Sequence, residues 1–145
     1  MAFRFPLATV LRVKESLEKR EERALQRIQL EMARVSHQME ELTEAAAKAH
    51  AARNQALLQA VPAGQLHTML WEAQAAVEAK TALNITLQGL EEQRLKQMKV
   101  YLAAHREHET IINLFNEQRN AYELEQTRAQ QKYLDDIFIA RRHRS

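Results

Sequence analysis

The sequence has no cysteine, and only two glycines and two prolines in 145 residues. Lack of cysteine excludes disulfides and thiolate metal sites, and fits a reducing compartment. Ordinary usage would supply about ten glycines in a chain of this length. With so few turn-forming residues, the regularly punctuated strands of a sandwich, a barrel or a wound α/β sheet are excluded. A phosphate-cradling loop and a dinucleotide fingerprint are excluded too, because Gly64 and Gly89 stand far apart. The serines are Ser16, Ser36 and Ser145, none in a nucleophile elbow. With no thiol either, no covalent catalyst is visible. Long apolar runs are also missing. The opening FRFPLATVL is interrupted by Arg4, Pro6 and Arg12, lacks the h-region and cleavage site of a signal peptide, and no segment reaches transmembrane length. Charge of one sign is not in excess: 21 Lys and Arg face 19 Asp and Glu, and the net charge of +2 does not call for a nucleic-acid partner. The expectation is a cytoplasmic protein that is no enzyme and needs no cofactor or metal.

What remains is rich in Ala, Leu, Glu, Gln, Lys and Arg, the strong helix formers. Pro62 and Gly64 stand together in QAVPAGQ, and Val61, preceding a proline, is pushed out of helical angles. The reading is a single coiled-coil domain over the whole chain. One helix spans about 6–60, a turn about 61–64 and a second helix about 65–142. Pro6 suits a first helical turn, and Thr68 is the ordinary capping residue closest to the second start. Helices of about 80 and 115 Å are of coiled-coil length. Alternate steps of three and four visit Leu25, Ile28, Met32, Val35, Met39, Leu42, Ala46 and Ala49 without a break in the first helix. In the second they visit Leu70, Ala73, Val77, Lys80, Asn84, Leu87, Glu91, Arg94, Met98, Tyr101, His105, His108, Ile112, Phe115, Arg119 and Tyr122, a leakier seam that Leu83, Leu90, Leu95 and Leu102 flank. The fold class is therefore all-α, a long antiparallel two-helix coiled-coil hairpin.

A short turn makes facing residue numbers add to about 126. Leu25 then meets Tyr101, Ile28 meets Met98, Met39 meets Leu87 and Leu11 meets Phe115, while Glu18 and Glu21 face His108 and His105. HREHE sets His105 and His108 three apart on one face, a spacing that can bind a metal. No third ligand lies close in sequence, so a polar layer that fixes register is the better reading. Protonated histidines would hold these carboxylates better than neutral ones. The first helix ends its pairing near residue 121, leaving a C-terminal overhang with Tyr122, Ala129, Tyr133, Leu134, Ile137 and Phe138, too apolar for a helix alone in water. A partner or a second copy covers it, or the long helix bends back on itself. Arg141, Arg142 and Arg144 with His143 form a basic tag suited to a helix C-terminus, or to an acidic partner, a nucleic acid or anionic lipid. Trp71 is either an interface anchor or the cover of the hairpin tip over Leu57 and Leu58, and Gly89 marks a bend, a close approach or neither.

FRFPLATVLRVKES resembles the start of the flagellar export protein FliJ family, with alternating Phe and basic residues and a Leu-x-x-Val-Leu step into a charged helix. EQRNAYELEQTRAQQKYLDDIFIARR is similar to that family's C-terminal helix, with Leu134, Asp135 and Asp136 as its Leu-Asp-acidic step. The resemblance implies a non-enzymatic stalk of the type III export apparatus, similar in shape to the central shaft of rotary ATPases. Its expected partners are the hexameric export ATPase (FliI), the export gate protein FlhA and substrate-specific chaperones. No nucleic acid is expected, and the membrane is approached only through the apparatus at the flagellar base. For the ATPase ring the implied contacts are Phe3, Phe5, Tyr122, Tyr133, Leu134, Ile137, Phe138, Arg141 and Arg142. For the gate or chaperones they are Leu66, Leu70, Trp71 and Gln74. In this picture Phe3, Phe5, Leu7, Val10 and Leu11 close the open end of the hairpin on Ile111, Ile112, Phe115 and Tyr122. The competing expectations are a self-associating structural rod and the stalk of a virulence-type secretion system.

Overall fold

The computed structural model describes residues 2–144, and two helices account for nearly all of them: α1, Ala8–Leu58, and α2, Ala63–Arg144. No strand occurs among the described residues, and the fold class is the expected all-α antiparallel hairpin.

Both prolines act at helix starts. Pro6 lies in a turn ahead of α1, where the Ala8 amide donates to the Phe5 carbonyl at 3.1 Å, and the Leu11 amide then donates to Leu7 at 2.8 Å. Proline lacks an N–H and has a preset φ, so it costs nothing at a position whose amide would have no helical acceptor. Pro62 does the same for α2. Its carbonyl accepts from the amides of Gln65 and Leu66 at 3.1 and 3.4 Å, so the helix begins at Ala63. Gly64 therefore sits inside the first turn, and no glycine among the described residues has a positive φ. Thr68 is no cap. Its hydroxyl donates to the Gly64 carbonyl at 3.0 Å, the back-bond of a threonine already within a helix.

The chain divides into two compact units, one of Met1–Glu21 with Tyr101–Ser145, the other of Glu22–Val100. In the second unit Leu25 and Val35 form the buried core, with Ile28, Met32, Met39 and Leu42 half-buried along the expected stripe. The facing stripe of α2 departs from expectation near the connection. Leu66, Met69, Ala76 and Leu83 turn inward beside the expected Ala73, while Leu70 is 57% and Val77 60% exposed and Asn84 is open to solvent. Ala73, Leu87 and Tyr101 keep their place in the seven-residue repeat, and the other position of the repeat falls one residue earlier than expected, at Met69, Ala76 and Leu83 in place of Leu70, Val77 and Asn84.

Gly89 meets no close approach: a Cβ added there would have nothing within 4 Å. Gly89→Ala is expected to stabilise the protein by about 0.5–1 kcal/mol, because alanine lowers the entropy of the unfolded chain and favours helix. A urea titration showing no gain would mean that the helix needs flexibility at this position.

Candidate functional site

In the first unit the opening segment closes on α2 through aromatic rings. Phe5 is buried at 8% exposure and meets Phe115 edge-on, 5.3 Å between centroids. Phe3 touches both Phe115 at 5.7 Å and Tyr122 at 5.5 Å. The Arg119 guanidinium lies 5.9 Å from the Phe115 centroid, completing a cluster with a cation at its rim. The cluster forms because Pro6 turns the chain so that Phe3 and Phe5 lie along α2, rather than continuing α1. This is the closure expected from the sequence, with Leu7, Leu11, Ile111 and Ile112 half-buried, except that Val10 is exposed and takes no part in it.

The polar layer is also present, with one partner exchanged. Glu18 receives both imidazoles: His105 Nδ1 lies 2.9 Å from one carboxylate oxygen and His108 Nδ1 contacts the other. Glu21 was expected opposite His105. Instead one carboxylate bridges both rings, since residues three apart on α2 present their Nδ1 atoms to a single point on the facing helix. The His105 hydrogen bond holds the Glu18 carboxyl below its ordinary range despite partial burial, with His108 assisting. The same bond raises His105. Beside the layer Lys14 pairs with Glu107 at 2.8 Å, an inter-helix contact that the sequence reading did not single out. Its signal was there, a lysine one turn before Glu18 facing the acid next to His108.

Beyond Tyr122 α2 has no opposing helix in its unit, and its apolar side chains lie in the open. Exposure is 67% at Tyr133, 63% at Leu134, 68% at Phe138 and 52% at Ile139, with Ile137 half-buried. Arg141 and Arg142 occupy the last turn with His143 and Arg144, where cations complement the helix dipole. Tyr133, Leu134, Ile137 and Phe138 form one patch by i, i+3 and i+4 spacing. Phe3, Phe5 and Tyr122 belong instead to the aromatic cluster described above.

In the second unit Leu66 is half-buried while Leu70, Trp71 and Gln74 face solvent. Trp71 does not cover the tip: it is 70% exposed and donates its Nε1 proton to His67 at 3.1 Å, leaving Leu57 and Leu58 open. Next to this surface lies an apolar groove of about 610 Å³ lined by Ala45, Ala46, Ala49, Ala73, Ala76 and Val77, among others. Alanines satisfy a heptad pattern but are too short to fill the space between helices, and so the groove escapes a count of apolar positions. Among the described residues no group of His, Asp and Glu side chains has the geometry to hold a metal, and no helix is long and apolar enough to cross a membrane.

Compared with known protein families, the chain matches the one described as Flagellar FliJ protein over residues 3–145, nearly its full length. It belongs to that family, and thereby to components of the flagellar export apparatus. Neither the curated proteins nor the solved structures contain a significant match.

Proposed function

We propose that this FliJ-family chain works without chemistry of its own, as a coiled-coil stalk that binds the ring of the export ATPase FliI and couples it to the export gate. The observation that carries this reading is the apolar patch of Tyr133, Leu134, Ile137 and Phe138 on a stretch of α2 that no other helix of its unit covers. A ring that encloses this stretch would bury the patch, and Arg141 and Arg142 would meet acidic or polar groups of its bore. Phe3, Phe5 and Tyr122 brace the base of that stretch, with Phe3 and Tyr122 placed to touch the ring's rim. Leu66, Leu70, Trp71 and Gln74 serve a separate contact with the gate protein FlhA or with substrate chaperones. In this role the protein is peripheral to the inner membrane, at the flagellar base.

The patch is tested by Tyr133→Ala combined with Phe138→Ala in the full chain. Both residues are exposed, so helix content by circular dichroism should hold, whereas binding to the ATPase should weaken about tenfold or more, as for central aromatic anchors. Normal binding and stimulation by the double variant would remove the tail from the interface. The same exposed patch suits a second copy of the chain, and sedimentation separates the two readings. A full-length dimer that dissociates on the double substitution, with no ATPase binding before it, would assign the patch to a self-associating rod.

A further inference from the structure

We propose that the Glu18–His105–His108 layer is a proton-operated latch. With the His105 imidazole charged it clasps the segment ahead of Glu22 onto α2, and with it neutral it lets that segment open.

The geometry puts three titratable groups on one point. The Glu18 side chain is 16% exposed, that of His108 17% and that of His105 46%, and both Nδ1 atoms are directed at the same carboxylate. Both Nδ1 atoms meet the carboxylate as hydrogen-bond partners, and among the described residues no group of His, Asp and Glu side chains has the geometry to hold a metal. A protonated His105 sets a cation against the Glu18 carboxylate, and a neutral one takes that cation out of the helix interface. The surroundings do not replace a lost proton. On α1 Lys14 is engaged by Glu107 at 2.8 Å, Lys19 by Glu15 at 3.1 Å and Arg20 by Glu21 at 3.0 Å. On α2 Glu109 stands 3.8 Å from His105 Nε2, Arg106 is exposed, and Tyr101 stacks on the His105 ring at 6.1 Å. Deprotonation therefore leaves Glu18 and Glu109 without the cation between them.

The direction of the pH effect follows from linkage. His105 is raised by its bond to Glu18, so its stabilisation is complete below its ordinary value of 6.5 and is lost as pH rises through the raised value. Glu18 is lowered, so its stabilisation is present above the ordinary 4.5 and is lost as pH falls through the lowered value. The latch is tightest between about 4.5 and 6.5 and loosens as pH rises above that range through the raised value of His105. Loosening frees the segment that carries Phe3 and Phe5, and with it the aromatic cluster.

Hydrogen exchange of the full chain at pH 5.5 and pH 8 tests the latch, with rates corrected for the intrinsic pH dependence of exchange. Amides of residues 8–21 are expected to open severalfold more often at pH 8, while those of residues 25–33, which hold no histidine and precede the exposed His37–Glu41 pair, serve as the internal control. Glu18→Gln should flatten the response; if that variant fails to fold, His105→Gln, which leaves the Glu18–His108 contact in place, should reduce it. Equal corrected rates at the two pH values, or a pH response that survives intact in the variants, would overturn the proposal. This inference stands independently of the ATPase reading, because its test requires no partner.

Discussion

A chain ending at Thr127 is expected to fold and to lose stimulation of the export ATPase almost completely. The truncation point is chosen on packing. Every ring of the aromatic cluster, Phe3, Phe5, Phe115 and Tyr122, lies before it, as do the Glu18 layer and the Lys14–Glu107 pair. What is removed is the exposed stretch with Tyr133, Leu134, Phe138 and Ile139 and the arginines of the last turn. Those side chains have no opposing helix in their unit, so their loss should leave the thermal midpoint nearly unchanged. The drop in stimulation should exceed that of the double alanine variant, since the charges go with the apolar patch. Steady-state ATP hydrolysis at fixed salt, with sedimentation in parallel, provides the measurement. Full stimulation by the truncated chain would place the ATPase contact ahead of residue 128.

The second large effect belongs to Phe115→Ala. Phe115 touches both Phe3 and Phe5, with centroid distances of 5.7 and 5.3 Å, and Arg119 rests against its face. Removing the ring takes away two edge contacts and leaves Phe5, now 8% exposed, facing a gap. A fully buried Phe→Ala change costs about 3–5 kcal/mol; because Phe115 is half-buried, about 2–3 kcal/mol is expected here. The loss should be local. Exchange protection of residues 8–21 should fall while that around Leu25 and Val35 holds, and a uniform loss of protection would show that the two units unfold as one.

Much of this architecture is legible in the sequence because its signals are local or periodic. Pro62 breaks the helix wherever the rest of the chain lies, and the Leu25 to Leu42 stripe turns inward because every step lands on a side chain large enough to be held there. The aromatic closure of Phe3 and Phe5 on Phe115 and Tyr122 was readable for the same reason, being the place where apolar residues would otherwise stand in water. Other features needed three dimensions. Leu70 is exposed because Met69, its neighbour, takes the place beside Ala73 in the repeat, and with apolar residues at both positions the pattern does not say which one turns inward. Glu18 takes both histidines because side-chain reach, and not residue number, decides who meets whom. The alanine groove lies outside any binary pattern, which gives alanine and leucine one symbol though their volumes differ. Exposure marks Tyr133 and Phe138 as a surface to be covered, but a periodic pattern says nothing of the chemistry of the cover.

The closure by Phe3 and Phe5 has a consequence for synthesis. Their partners, Phe115 and Tyr122, are made more than a hundred residues later, so for most of translation the opening rings have nothing to pack against. Contacts near the connection join residues close in sequence and can form as soon as α2 emerges, whereas ring closure must wait for the far stretch of the same helix. A ribosome-bound chain thus carries both rings without their partners until that stretch of α2 is made.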